Sequence, residues 1–265
     1  MNELRICRHG KMLFNTNDIY IGRSLQFYGE YSEGECEVFR QLVRPGWTLL
    51  ELGANIGAHT VCLAKLVGPR GRVIAFEPQR VVFQTLCANV ALNDFQNVEC
   101  HQQAVGGKSG SVIMPRMDYT KEFNFAGISV GMTSEGELVS LTTVDELELK
   151  ACHFIKVDIE GMEEQALQGA SETIRRFKPF LYLENDRKEK SDSLIRTIND
   201  LGYRMYWHVP PLFNPLNFAG NSDNVFGGMT SRNMLCIHSS IQQSVDCPEV
   251  LVPADLSIAN LEPAF

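Results

Sequence analysis

Strand-like and helix-like segments alternate along this chain, and that alternation predicts an α/β fold: a mainly parallel sheet with helices on both faces and an antiparallel edge. Two further features support it. A glycine-punctuated turn, "ELGANIG", follows the first apolar strand, where open α/β sheets bind their ligands. Near the other end, "YRMYWHV" and "NMLCIH" read as strands with no helix between them, which makes them an antiparallel pair at one edge.

The elements follow in order. Residues 1–45, with "EGECEVFRQLV" at helical spacing, are expected to form a cap before the sheet. "TLLELG" is a short apolar strand, "GAHTVCLAKLVG" a helix, "RVIAFEP" a strand and "QRVVFQTLCANVALND" a helix. "VECHQQAVGG" reads as one strand ending in glycines, followed by a polar insertion, 108–141, that suggests a hairpin or flexible segment. Alternation resumes with "HFIKVDIEG" as the fourth strand, "MEEQALQGASETIRRF" as one helix, "PFLYLEND" as the fifth strand and "SDSLIRTINDLG" as a Ser-capped helix. The expected organisation is a cap, a domain over 46–240 carrying the insertion and a lid at 207–233, and a tail from 241 to 265. The lid segment is long and rich in Pro, Gly and Asn, yet its aromatics argue against disorder.

Composition narrows the function. With 44% hydrophobic and 21% charged residues, the 265-residue chain is globular. Its 24 basic against 32 acidic side chains give a formal charge of −8, and no basic cluster interleaves with aromatics, so nucleic acid is not the expected partner. The N-terminal "MNELRICRHGKMLFNTNDIY" lacks a signal-peptide apolar core and no run is long enough to span a bilayer; a soluble, cytoplasmic protein is expected. A homo-oligomer is compatible with this composition. The eight cysteines show no C-x-x-C spacing and several sit in apolar contexts, which reads as reduced core thiols, not a zinc site.

"ELGANIG" raises the question of its ligand. A dinucleotide site requires G-x-G-x-x-G; here the spacing is G-x-N-x-G, with Glu51 two residues ahead of Gly53. A carboxylate there repels phosphate and suits a cationic amino-acid moiety. Glu77 in "AFEP", 20 residues after Gly57, closes the next strand and can accept hydrogen bonds from both hydroxyls of a ribose. Together these point to S-adenosylmethionine over a nicotinamide cofactor, and so away from an oxidoreductase. His59 and Thr60 open the following helix, either as ligand contacts or as capping residues.

Asp158 and Glu160 lie two apart at the end of the fourth strand, so an extended chain would point both the same way; the alternative for Glu160 is to cap the next helix. An "NPP" or "DPP" there would mark base amino-methylation, but the position reads "DIEG". Glu184 ends the fifth strand beside Asn185, and His208, just before the lid, suits a general base or is simply an edge-strand residue. Acceptor choice is expected from the cap, insertion and lid, where Tyr28, Tyr31 and Phe213 could stack on a ring and Asn217 and its neighbouring asparagines could bind hydroxyls.

The motifs "ELGANIGAHT", "AFEPQ" followed by "ANVALN", "QQAVGG", "IKVDIEGMEEQALQGA" and "LYLEN" resemble those of FkbM-type S-adenosylmethionine-dependent methyltransferases, from about Trp47 to His238. The resemblance implies a Rossmann-like class I methyltransferase fold and O-methylation of a hydroxyl on a small metabolite, glycan or polyketide-like natural product, with N- or C-methylation as the alternative. It implies a donor site of Glu51, Gly53, Ala54, Asn55, Gly57, His59, Thr60, Glu77, Pro78, Gln103, Ala104 and Asp158, with Gln103 and Ala104 near the adenine. The acid, acid and asparagine set of Asp158, Glu184 and Asn185 also resembles the magnesium ligands of catechol-type O-methyltransferases, which adds Mg2+ as a second cofactor to be tested.

Overall fold

The apolar runs read as strands do become the centre of the molecule. The computed structural model describes residues 1–129 and 134–250; the rest of the expected insertion and tail, 130–133 and 251–265, lie outside the described residues. The chain opens with a hairpin, β1 (Asn2–Cys7) and β2 (Gly10–Asn15), then α1 (Ile21–Tyr28) and α2 (Glu33–Leu42). β3 (Thr48–Leu52), α3 (Ala58–Val67), β4 (Arg72–Phe76), α4 (Arg80–Leu92) and β5 (Val98–His101) follow. Next come the short β6 (Ala104–Val105) and the hairpin β7 (Gly110–Met114) and β8 (Glu137–Thr142). The last part is β9 (Phe154–Val157), α5 (Glu163–Gln168), α6 (Ser171–Phe177), β10 (Phe180–Glu184), α7 (Lys188–Asp200), β11 (Tyr203–His208) and β12 (Asn233–His238).

The main sheet has the order β11-β12-β10-β9-β3-β4-β5. β10, β9, β3, β4 and β5 pair in parallel, while β12 runs antiparallel to both β10 and β11, the expected antiparallel edge. Strand periodicity sorts the core into two layers. Leu50, Leu52, Ile155, Val157, Leu181 and Leu183 face α5, α6 and α7. Leu49, Val73, Phe154, Tyr182 and Leu235 face the other way, onto Phe39 and Leu42 of α2 and Leu63 and Val67 of α3. The first 45 residues therefore share the core of the sheet. Asn89, fully buried on α4, fastens the hairpin: its amide donates to Leu13 O and Ile56 O and its oxygen accepts from Leu13 N. Among the described residues no helix is long and apolar enough to cross a membrane.

Three elements differ from expectation. "VECHQQAVGG" is not one strand: β4 ends at Phe76, so β5 runs out of partner at His101, and Ala104 and Val105 pair instead with Leu141 and Thr142 in a separate sheet, β6-β8-β7. "MEEQALQGASETIRRF" is not one helix, because α5 stops before Gly169 and the Asp145 carboxylate caps α6 from outside, accepting from the amides of Glu172 and Thr173 at 3.0 and 2.8 Å. α7 begins at Lys188, not at a Ser cap; Ser191 is buried inside it with no partner for its hydroxyl.

The turn after β3 is held by geometry that only glycine meets. Gly53 has φ +83°, and a Cβ there would stand 1.7 Å from the Asp158 carbonyl oxygen. Its amide and that of Ala54 both donate to Phe76 O, which locks the turn to the end of β4. Gly53→Ala should lower the unfolding free energy by roughly 2–5 kcal/mol, from positive-φ strain plus overpacking. Gly46, at φ +86° with open space around it, provides the control: Gly46→Ala should cost roughly 1–2 kcal/mol. Equal losses in urea titrations would contradict the close approach at Asp158.

Candidate active site

Three neighbouring strands deliver polar groups to the same face of an otherwise apolar sheet. Register pairs Glu51 of β3 with Lys156 of β9, and Lys156 with Tyr182 of β10, so these side chains form a row across one face. Two residues further along lies Asp158, whose Oδ2 accepts from Lys156 Nζ at 2.7 Å, and at the end of β10 is Glu184. Glu51, Lys156, Asp158 and Glu184 line a cavity of about 640 Å³ at the carboxyl ends of the strands, together with Gly53, Asn55, His59 and Glu77. Glu77, Gly53, Asp158 and Glu160 also border an adjoining narrow slot, whose other walls include Phe76, Pro78, Gln103, Ala104 and Met162.

Each carboxylate has a distinct environment. Glu51 is buried and accepts from the Thr60 hydroxyl at 2.6 Å; burial pushes its pKa up to about 7, against the pull of Lys156. Glu77 is also buried, accepts from the amides of Asn55 and Gln79, and is pushed up to about 7 by burial. Glu184 stands well above the usual carboxylate range because it is buried and close to Asp158, and its Oε2 has no partner. Glu160, raised to about 7 by burial and then by Asp158, pairs with Arg187 at 2.7 Å. Oxygens of Asp158, Glu160 and Glu184 come within 4.8 Å of one another. His59 is buried, and burial followed by the Lys156 charge pushes it down to about 3; its Nε2 is unpartnered beside the cavity, and its ring lies 5.5 Å from that of Tyr31.

The structure brings most of the sequence-predicted residues together, with corrections. Glu51, Gly53, Ala54, Asn55, His59, Glu77, Asp158, Glu160, Glu184 and Tyr31 line the cavity. Gly57 and Thr60 act from behind: Gly57 turns the chain into α3 at φ +86°, and Thr60 orients Glu51. Neither His59 nor Thr60 makes a capping hydrogen bond. Asp158 and Glu160 do not project from one extended strand, since β9 ends at Val157 and Glu160 sits at φ +54°. Nor does Glu160 cap a helix; Glu163 closes that turn by accepting from Gly161 and Ile159.

Five further residues are displaced from their expected roles. His208 does not line the cavity: its Nδ1 lies 2.7 Å from the Tyr182 hydroxyl, and burial lowers its pKa. Asn185 is buried and turned to the Met234 sulfur, so the acidic cluster takes Glu160 in its place. Tyr28 is buried, its hydroxyl donating to Asp223 O and accepting from Val225 N. Phe213 packs on the Tyr28 ring at 5.3 Å, and the Asn217 side chain closes its own loop through Asn214 O, Asn221 O and Asn221 N. The lid segment is pinned to the N-terminal region by Glu30, which accepts from Phe218 N and Asn214 Nδ2, and sends only Leu212, Gly228, Met229, Thr230 and Arg232 to the cavity wall.

Sequence reading missed Lys156, Tyr20, Asn124 and Arg232 on the cavity wall, where Asp186, the acid that closes "LYLEND", also lies. Only Lys156 carried a signal: "FIKV" places one cation in a buried strand, two residues before Asp158 and so on its face. It also missed that Cys36 and Cys62, 26 positions apart, converge on His9.

The chain matches the family model described as "Methyltransferase FkbM domain" over residues 51–205, more than half its length, and belongs to that family. The match spans the glycine turn, Glu77, Asp158 and Glu184. No curated protein matches the chain in sequence. Among solved structures, a methyltransferase FkbM from Methylobacillus flagellatus is 19% identical over 76% of this chain and 50% of its own, with a TM-score of 0.47. This chain thus spans half the length of that protein. A SAM-dependent methyltransferase from Aquifex aeolicus is 17% identical over 81% of this chain and 92% of its own, TM-score 0.42. Aeropyrum pernix fibrillarin, in complex with natively bound S-adenosyl-L-methionine, is 14% identical over 77% and 74%, TM-score 0.43.

Removing the buried cation tests the electrostatics. Lys156→Met leaves Glu51 without its compensating charge and should destabilise the fold by about 3 kcal/mol near neutral pH. The folded-state pKa of Glu51, already above its unfolded value, should rise further, so the variant should lose stability as pH increases. Urea denaturation should then show a larger penalty at about pH 8 than at about pH 5.5; a pH-independent penalty would contradict the coupling.

Proposed function

We propose that this chain is an S-adenosylmethionine-dependent O-methyltransferase acting on a hydroxyl of a small metabolite, glycan or polyketide-like natural product. The observation that carries this reading is the meeting of a glycine turn, a buried carboxylate at the next strand end and an acidic cluster around one cavity. The residues fit the donor. Glu77 suits the ribose hydroxyls, the slot between Phe76, Pro78, Gln103 and Met162 suits the adenine, and Glu51 favours the cationic amino-acid end. The Gly53 turn fits because a side chain there would strike Asp158. When bound, S-adenosylmethionine supplies an electrophilic methyl group on its sulfonium.

The chain's own task is then to hold an acceptor hydroxyl in line and take its proton. Asp158 is the best placed base: Lys156 holds Oδ2, which leaves Oδ1 for the acceptor. Glu184, held well above the usual carboxylate range by burial and by Asp158, has an unpartnered Oε2 on the same wall that can meet the acceptor hydroxyl. Tyr31, Asn124, Thr230 and Arg232 give the remaining wall a polar, partly aromatic character that suits a hydroxylated acceptor. A divalent ion such as Mg2+, held by Asp158, Glu160 and Glu184, is a second reading favoured by the approach of their oxygens within 4.8 Å; it would lower the pKa of an acceptor hydroxyl.

Three outcomes follow from this reading. Glu77→Ala should weaken S-adenosylmethionine binding by roughly 1–3 kcal/mol, and Asp158→Asn should keep binding while losing most turnover; unchanged turnover would exclude Asp158 from the chemistry. A screen of hydroxylated acceptors by mass gain of one methyl group, with and without a chelator, tests the reaction: product that survives chelation removes the metal variant, and methylation only at nitrogen or carbon removes the O-methyl reading. The third outcome concerns pH. Glu51 and Glu77 are raised from the ordinary carboxylate value to about 7, so the free protein loses stability as pH rises through that window, while their ionised forms hold the donor better. The increase in Tm caused by S-adenosylmethionine should therefore be larger at about pH 8 than at about pH 6; a smaller increase at the higher pH would contradict these assignments.

A further inference from the structure

Away from the cavity, a second group of chemically active side chains meets where the N-terminal hairpin, α2 and α3 join. His9 lies in the turn between β1 and β2, Cys36 on α2 and Cys62 on α3. One ligand atom from each, an imidazole nitrogen and two thiol sulfurs, comes within 4.8 Å of both others. Cys36 and Cys62 are buried, His9 is half-buried, and neither cysteine is in a disulfide. We propose that His9, Cys36 and Cys62 form a zinc site that staples the N-terminal hairpin and α2 to α3.

Two observations separate this group from ordinary core thiols. The first is the donor set: tetrahedral zinc takes sulfur at roughly 2.3 Å and imidazole nitrogen at roughly 2.0 Å, so neighbouring ligands stand within about 4 Å of each other. The three atoms need only a small contraction to reach that arrangement. The second is the carboxylate behind the imidazole. His9 Nε2 lies 2.7 Å from Glu33 Oε2, and Glu33 is in turn held by Arg40 at 2.8 Å. That bond leaves Nδ1 as the nitrogen for the metal and fixes the ring, the outer arrangement that metal-ligating histidines use. Binding would release the thiol protons to solvent and leave a fourth position for water or a small ligand. The site's effect on the cavity would be mechanical. Cys62 shares α3 with His59 and Thr60, and the helix starts at the Gly57 turn, so a metal here would hold the donor half from behind.

The test uses the full chain, purified under reducing conditions without chelator. Elemental analysis should find about one zinc per chain, lost in Cys36→Ser, Cys62→Ser and His9→Ala, and retained in a Cys87→Ser, Cys100→Ser control. Because the single variants could lose zinc by misfolding, wild-type protein stripped by chelator should also be titrated with Co2+. A thiolate-to-cobalt charge-transfer band, together with the visible bands of a tetrahedral ion and their loss on adding Zn2+, is expected; stripping should lower the Tm. Reduced wild-type protein that holds no zinc and gives no such spectrum would overturn the proposal. So would a native chain lighter by a pair of hydrogens, with Cys36 and Cys62 joined as a disulfide.

Discussion

The buried ammonium of Lys156 is the charge on which the rest of the site depends. It sits in the middle strand of the sheet, flanked in register by Glu51 and Tyr182 and bonded to Asp158. A lone cation there would be prohibitively desolvated, and so would the carboxylates around it. Together they are tolerated: Asp158, Glu35 and Glu51, with burial working against them, hold Lys156 above its ordinary pKa. One interaction therefore sets both halves of the cavity, the Glu51 side reached through the glycine turn and the Asp158 side.

The backbone ties those halves equally closely. Gly53 lies against the Asp158 carbonyl, so the turn that shapes one half cannot move without the strand end that carries the other. Behind the turn, α3 packs on α2, and Asn89 of α4 and Asn93 just after it hold the hairpin to the same region. A segment that reads as a cap in sequence is thus built into the wall: Tyr20 and Tyr31 reach the cavity from it, and Phe39 fills the core beneath.

What the sequence disclosed follows from which forces act locally. Strand periodicity, the G-x-N-x-G spacing and acidic residues at strand ends are all short-range signals, and they located the sheet, the turn, Glu51, Glu77, Asp158 and Glu184. Side-chain partners set by distant segments were not legible. Tyr28 and Asn217 have the chemistry of an acceptor site, yet each is consumed by hydrogen bonds between α1 and the 207–233 segment or within it. His208 stands at a strand end, as a base would, but faces Tyr182. Asn185 follows Glu184 and alternates to the opposite side, which a strict two-residue period already implies. Lys156 was within reach by the same rule, whereas Glu35 and the convergence of His9, Cys36 and Cys62 depend on helix docking that no local pattern encodes.

Under the proposed function this cavity takes a cationic nucleoside, with Glu51 and Glu77 facing its two ends, and not a dinucleotide. Calorimetric titration of the wild-type chain with S-adenosylmethionine and, separately, with NAD tests it most directly. Saturable binding of S-adenosylmethionine with one site per chain is expected, with no measurable heat from NAD at the same concentrations. Binding of NAD in preference to S-adenosylmethionine would contradict it.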